Sequence, residues 1–169
     1  YKIIIIIFSL SAIFSCSSKQ NEDTRVEYVY TKAMKELREK NYSESIRLFE
    51  EVSDNYPLSP WSIKAQTMVA YAHYKQNNYD DVVATVDNFI QNSPSDKNIP
   101  YMQYLKSMSY YNRIPDITRG QDNTQLASYS FRELIARFPT TNYAIDSKKR
   151  LFLVDEHLAG AKMSVGRYD

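Results

Sequence analysis

The chain predicts an all-α fold: a helical-repeat solenoid of stacked antiparallel helix pairs. Three observations carry that reading. Asn41-Tyr42 recurs as Asn78-Tyr79 and Pro57 recurs as Pro94, each 37 residues on. Between these marks the residue classes repeat as well: Ala33 maps to Ala70, Leu37 to Tyr74, Ile46 to Val83, Phe49 to Val86 and Glu50 to Asp87. A fixed period of roughly 20 to 50 residues belongs to architectures in which each unit buries its apolar face only against its neighbours. Finally, three glycines in 169 residues are too few for the turns of a β-rich chain.

The leader comes first. Residues 3–14 are apolar except for Ser9 and Ser11, and Lys2 is the only charge ahead of them. As a helix these twelve residues reach roughly 18 Å, short of the roughly 30 Å hydrocarbon core, so residues 1–15 read as a signal peptide. Ile13-Phe14-Ser15-Cys16 then resembles a bacterial lipobox, with Phe14 where a small residue is usual. A lone cysteine suits neither a disulfide framework nor a metal site, which makes Cys16 the candidate lipidation (palmitate) site. The bland alternative is an ordinary cysteine in a failed membrane helix. Cleavage before Cys16 leaves about 154 residues, enough for one domain with a sizeable core. Residues 16–22 are polar and aperiodic, a tether.

A repeat domain is expected over 23–169, with repeats at about 24–57, 60–94, 98–139 and a partial fourth at 142–169. Thr24-Arg25-Val26-Glu27 reads as a capping box opening a helix that runs to about Lys40. Asn41 marks the tight turn, since asparagine tolerates left-handed dihedrals. The return helix, 43–55, stops ahead of Pro57, because proline disfavours helical geometry at Tyr56. Ser59-Pro60 offers a cap followed by proline at the first helical position, starting a helix to Gln76. Asn77-Asn78 makes the turn, and Asp80-Asp81 opens the next helix at the positive end of its dipole. That helix runs from Tyr79 to Gln91, and Pro94 ends it.

The third pair opens near Asn98-Ile99-Pro100 and runs to about Asn112. Its return helix is expected from Thr124 to Arg137, stopping at Phe138-Pro139. Pro94 to Pro139 is 45 residues, an excess of eight placed in a surface loop over 113–123 that contains Pro115 and Gly120. The last segment, Asn142 to Tyr168, carries a stripe of Leu151, Val154, Leu158, Ala161, Val165 and Tyr168 at spacings of three and four. Tyr1 is not an initiator methionine and Asp169 falls inside a helical pattern, so the expectation is a fragment with the far end of this helix uncovered.

Several functions are disfavoured by what the residues do not assemble. Net charge is +1 with scattered basic residues, so no nucleic-acid footprint is expected. His73 and His157 are far apart, the one cysteine cannot form a cluster, and the glycines are isolated. No catalytic residues, metal or cofactor are therefore expected, and the reading is that of a non-enzyme. His73 falls at a helix-packing position.

Tyr71 to Val83 reads YAHYKQNNYDDVV and resembles the tetratricopeptide repeat (TPR), with Ala70 at the small position of the first helix and Tyr79, Val82, Val86 and Pro94 locking the pair. By that resemblance the first helices line a concave peptide-binding groove. Counted from Ala33, Ala70 and Ser107, its lining is Tyr30, Met34 and Leu37; Thr67, Tyr71 and Tyr74; then Tyr104, Met108 and Tyr111. Arg38 and Lys75 stand at the rim, placed to meet a terminal carboxylate. Tyrosines and adaptable methionines on one face suit an extended apolar or aromatic peptide. The alternative is that Leu37, Tyr74 and Tyr111 pack between repeats. Fifteen tyrosines are unusual, and core filling accounts for many of them.

A more specific resemblance rests on YPLSP (56–60), AYAHYKQ (70–76), DNFIQNSP (87–94), YMQYLKSMSYY (101–111), FRELIARFPTTNYAID (131–146) and HLAGAKMSVGRY (157–168), together with the lipobox. These are similar to the BamD family, lipoproteins of the machine that folds β-barrels into the bacterial outer membrane. The loop matches an insertion of that family, where Arg-Asp-Gln is usual; here Arg119-Gly120-Gln121 lacks the aspartate. The family has about five repeats. The resemblance implies a lipid-anchored scaffold on the periplasmic face of the outer membrane that takes part in assembly and insertion of β-barrel proteins. Its implied partners are unfolded outer-membrane β-barrel proteins, received through a C-terminal aromatic signal, and other subunits of the machine. Two other functions stay open at this point: a pilotin-like TPR lipoprotein escorting a secretin, and a TPR appendage of an envelope enzyme.

Overall fold

The structure, a computed structural model, describes residues 23–114 and 121–165. Among the described residues there are seven helices and no strand: α1 (residues 23–38), α2 (Tyr42–Asn55), α3 (Pro60–Lys75), α4 (Tyr79–Asn92), α5 (Ile99–Tyr111), α6 (Gln121–Arg137) and α7 (Asn142–Val165). This is the expected all-α, TPR-like arrangement of packed adjacent helices. Two compact units divide within α3, one ending at Val69 and the other beginning at Ala70. The expected signal peptide, the expected tether and Cys16 lie outside the described residues, as do Pro115, Gly120 and Tyr168.

The 37-residue period reappears as backbone geometry. Lys40 and Asn77 both take left-handed dihedrals, with φ of 64° and 62°. Each ends its helix in a Schellman turn. Asn41 N–H bonds the Glu36 carbonyl at 2.9 Å and Lys40 N–H bonds Leu37 at 3.1 Å; Asn78 to His73 (3.0 Å) and Asn77 to Tyr74 (3.1 Å) repeat the pattern. The residue after each turn starts the return helix with matching angles, φ −79° and ψ 62° at Asn41 and −81° and 67° at Asn78. The left-handed position is thus Lys40, not Asn41, one residue earlier than the asparagine rule suggests. Hydrogen bonding to the preceding helix holds lysine there against its own preference.

Helix ends follow the proline and capping signals with two exceptions. Tyr56 (φ −134°) and Ser93 (φ −136°), each ahead of a proline, leave helical geometry in the same way. Ser59 caps α3, its Oγ accepting from Trp61 N–H at 3.2 Å, with Pro60 in the first helical position. Thr141 caps α7 by accepting from Ala144 N–H at 3.2 Å. Thr24, by contrast, lies inside α1 rather than at its cap, because the helix already includes Asp23. α6 begins at Gln121, three residues before the expected Thr124, so part of the expected surface loop is helix. Thr124 is itself 2 % exposed.

Each unit has its own core. In the first, Val26, Ala33, Phe49 and Val52 are buried, and Ser45 Oγ on α2 donates to the Ala33 carbonyl on α1 at 3.0 Å. Only a small residue at 33 lets the helices come this close. In the second, Met108, Ala127, Phe131 and Val154 form a cluster joining α5, α6 and α7, with Leu151 and Leu158 packed against it. The small positions Ala33, Ala70 and Ser107 are all 0 % exposed. At Ser107 the contact is polar: its Oγ lies 2.7 Å from Ser130 Oγ, and Gln103 Nε2 donates to Glu133 at 3.1 Å. Burying these groups is tolerated because each finds a partner.

Candidate functional site

α3, α5 and α7 bring an aromatic face together within the second unit. Tyr71, Tyr74, Tyr101, Tyr104 and Tyr111 are half-buried. Tyr143, at the start of α7, is 36 % exposed and bridges two of them, its ring 5.5 Å from Tyr101 and 5.4 Å from Tyr104. Helical spacing accounts for the alignment: Tyr71 and Tyr74 lie one turn apart, as do Tyr101 and Tyr104. Tyr74 and Tyr111 divide their surface, packing against the Met108–Phe131 cluster while remaining partly open. Tyr74 Oη also accepts from Asn112 Nδ2 at 2.9 Å.

Charge enters this face through α7. Tyr104 Oη donates to Asp146 Oδ2 at 2.5 Å, and Arg150 Nε donates to the same oxygen at 2.6 Å. The Arg150 guanidinium lies 5.5 Å from the centre of the Tyr111 ring, a cation–π arrangement. The Tyr104 bond, with help from Arg150, holds the Asp146 carboxyl below its ordinary range. Burial, and then the bond to Asp146, pushes the Tyr104 phenol up to about 12. Burial raises Tyr101 as well, reinforced by the neighbouring hydroxyls of Tyr71, Tyr143 and Tyr74. These phenols are neutral donors at any physiological pH.

The other expected groove residues are distributed as follows. In the first unit Tyr30 is half-buried, edge-on to Phe49 at 5.3 Å and tilted against Trp61 at 4.8 Å, and burial raises its phenol. Met34 is half-buried, Leu37 is buried and Arg38 is exposed. Thr67 is 8 % exposed and its hydroxyl donates to the Ile63 carbonyl at 2.9 Å, so it is spent within its own helix. In the second unit Lys75 is exposed and Met108, at 7 %, belongs to the core cluster. Cys16 lies outside the described residues.

Four residues of the aromatic face were not singled out from the sequence: Tyr101, Tyr143, Asp146 and Arg150. A signal existed for two of them, since Tyr101 precedes Tyr104 by one turn and Arg150 follows Asp146 by one turn. Trp61 was missed in the first unit. It lines a cleft of about 810 Å³ with Val26, Glu27, Leu58 and Pro60. Lys64 Nζ sits 4.2 Å from the centre of its ring.

His73 is packed, with a side chain 15 % exposed and Nδ1 at 3.6 Å from Asp81, too long for a hydrogen bond. Among the described residues no group of acidic, histidine or cysteine side chains is arranged to hold a metal. No described helix is long and apolar enough to cross a membrane.

Residues 22–169 match the model of a family described as outer membrane lipoprotein, YfiO. The chain is 34 % identical over 147 residues to the outer membrane protein assembly factor BamD of Caulobacter vibrioides, covering 87 % of this chain and 48 % of that protein. It is 33 % identical over 156 residues to BamD of Rickettsia prowazekii, with 90 % and 62 % covered. For BamD of Neisseria meningitidis serogroup B the figures are 31 % over 157 residues, with 87 % and 59 % covered. The chain thus spans about half to three-fifths of the length of these relatives. With the family match running over every described helix, the chain belongs to the YfiO family of outer membrane lipoproteins.

Proposed function

We propose that this protein is a lipid-anchored scaffold of outer-membrane protein assembly. It is held to the periplasmic face of the outer membrane through Cys16, and its first helices receive unfolded segments of β-barrel proteins while other subunits of the machine dock elsewhere. It works by binding and is not an enzyme. The observation that carries this is the run of half-buried tyrosines on α3 and α5 (Tyr71, Tyr74, Tyr101, Tyr104 and Tyr111), with the exposed Tyr143 of α7 against two of them. The names of the BamD relatives, as assembly factors, support the same reading. Tyrosine offers a large apolar contact with a polar tip at low entropic cost, which suits varied partners. Burial raises the phenols of Tyr101 and Tyr104, so an apolar segment meets no buried charge on those two rings.

The test is site-specific photocrosslinking in cells. A crosslinker at Tyr71 or Tyr101 is expected to capture unfolded barrel protein, and one at Asn88, exposed on α4 of the same unit, is expected not to. Equal capture at all three positions rejects the reading.

A further inference from the structure

α1 carries a surface that neither its core nor the expected groove uses. Val26, Ala33 and Leu37 are buried on its inner side, and Tyr30 and Met34 are half-buried. Arg25, Tyr28, Lys32 and Lys35 are exposed and follow one another at steps of three and four, so they share one outer face of the helix. By the same helical phase Tyr30 lies on the opposite side. Tyr28 is 70 % exposed, an aromatic ring in a row with three cations.

Neighbouring acids neutralise this row only in part. Glu39, one turn beyond Lys35, lies 3.9 Å from its Nζ with both side chains at least half exposed, so the pair is loose. Glu44 on α2 senses the charge of Lys32 but is already bonded to Arg47 at 2.9 and 2.8 Å. Among the described residues, Arg25 and Lys32 take part in no ion pair. The row therefore stays basic along most of its length.

Its place in the chain and its charge together name the partner. α1 begins at residue 23, and the stretch from Cys16 to that point, fully extended, reaches at most about 24 Å. We propose that the outer face of α1 is a membrane-contact surface: Arg25, Lys32 and Lys35 meet anionic phospholipid headgroups, and the Tyr28 ring sits at headgroup level. The proposal rests on the reading of Cys16 as the lipid anchor. Acyl attachment is strengthened by a basic patch beside it, each Lys or Arg adds attraction to an anionic surface, and tyrosine favours the membrane–water boundary. With α1 laid along the lipid by this face, Tyr30 points away from the membrane.

The test uses the chain from residue 16 onward, which includes every described helix, with Cys16→Ser so that no acyl chain contributes. Sedimentation is measured with phosphatidylcholine vesicles, with and without phosphatidylglycerol. Binding is expected to require phosphatidylglycerol and to fall as salt rises. Lys32→Glu/Lys35→Glu is expected to lower the partition coefficient roughly tenfold or more, and Tyr28→Ser to lower it less. Lys97→Glu/Lys148→Glu makes the same charge change at exposed positions of the second unit and is expected to leave binding nearly unchanged. Lys32→Gln/Lys35→Gln, which adds no acid beside Glu44, replaces the reversal if that variant does not fold. No binding by the parent chain, as an acidic protein partner for this face would give, overturns the proposal. So does binding that ignores phosphatidylglycerol, or an equal loss in the second-unit variant. Because no acyl chain is present, each of these leaves the reading of Cys16 standing; that reading fails only if Cys16→Ser keeps the protein on washed membranes to the same extent as wild type in cells while this chain does not bind vesicles.

Discussion

Tyr104 on α5 and Asp146 on α7 are joined by a 2.5 Å hydrogen bond across 42 residues of sequence. It ties the aromatic rings of one helix to the charged pair of another. The bond strengthens when Asp146 is ionised and Tyr104 is protonated; it is the main cause of the Asp146 shift, whereas the Tyr104 shift comes first from burial and then from the bond.

That bond sets two pH edges. Asp146 has a depressed folded pKa, so its contribution is present above the ordinary carboxylate value and is lost as pH falls through the folded value. Tyr104 is raised to about 12, so its contribution is complete below the ordinary phenol value of 10 and is lost as pH climbs from there towards 12. Tyr104→Phe is expected to cost about 1 kcal/mol at neutral pH. Thermal unfolding followed across pH is expected to show a gentler decline at both extremes in the variant than in the wild type. Parallel curves would mean that the bond contributes nothing to stability.

The small positions carry a steric prediction. Ala70 is 0 % exposed, so Ala70→Leu is expected to overpack and cost about 1–3 kcal/mol. Ser107→Ala keeps the volume but removes a partner of Ser130, and is expected to cost about 1 kcal/mol. Urea titrations rank the two, and an Ala70→Leu variant as stable as wild type would show that the helices are not in close contact there.

Lys40 and Asn77 occupy equivalent left-handed positions, yet glycine is expected to act differently at each. A non-glycine residue such as lysine pays about 1–2 kcal/mol for this conformation, against roughly 0.5–1 kcal/mol of extra chain entropy for glycine. Lys40→Gly is therefore expected to stabilise by up to about 1 kcal/mol. Asn77 tolerates the conformation better and accepts a 2.8 Å bond from the Tyr79 hydroxyl, so Asn77→Gly is expected to be neutral or mildly destabilising. Chemical denaturation of both variants tests the contrast, and a reversed order would refute it.

Cys16→Ser tests the proposed lipid anchor. Stable attachment needs more than one acyl chain, each buried methylene contributing about 0.8 kcal/mol. The variant is expected to appear in the soluble fraction after membranes are washed, while the wild type sediments with them. Full retention of the variant would exclude Cys16 as the attachment point.

Much of the helical framework was legible in the chain because its signals are local. Pro57 and Pro94 act on the residue before them, Ser59 on the amides just after it, and the 37-residue spacing marks Ala33 and Ala70 as positions where helices must touch. Where neighbours outweigh local preference the reading slipped: Lys40 rather than Asn41 takes the left-handed turn, and α6 starts at Gln121. The candidate face was legible only in part. Helical phase identified Tyr71, Tyr74, Tyr104 and Tyr111, but it placed Thr67 and Met108 on the lining although they are buried. Phase says which residues share a side of one helix, and burial depends on what another helix brings against that side. Tyr143, Asp146 and Arg150 join Tyr101 and Tyr104 only because α7 packs on α5. That contact is decided by the volumes of Phe131, Met108 and Val154, side chains distant in sequence that meet in a single core.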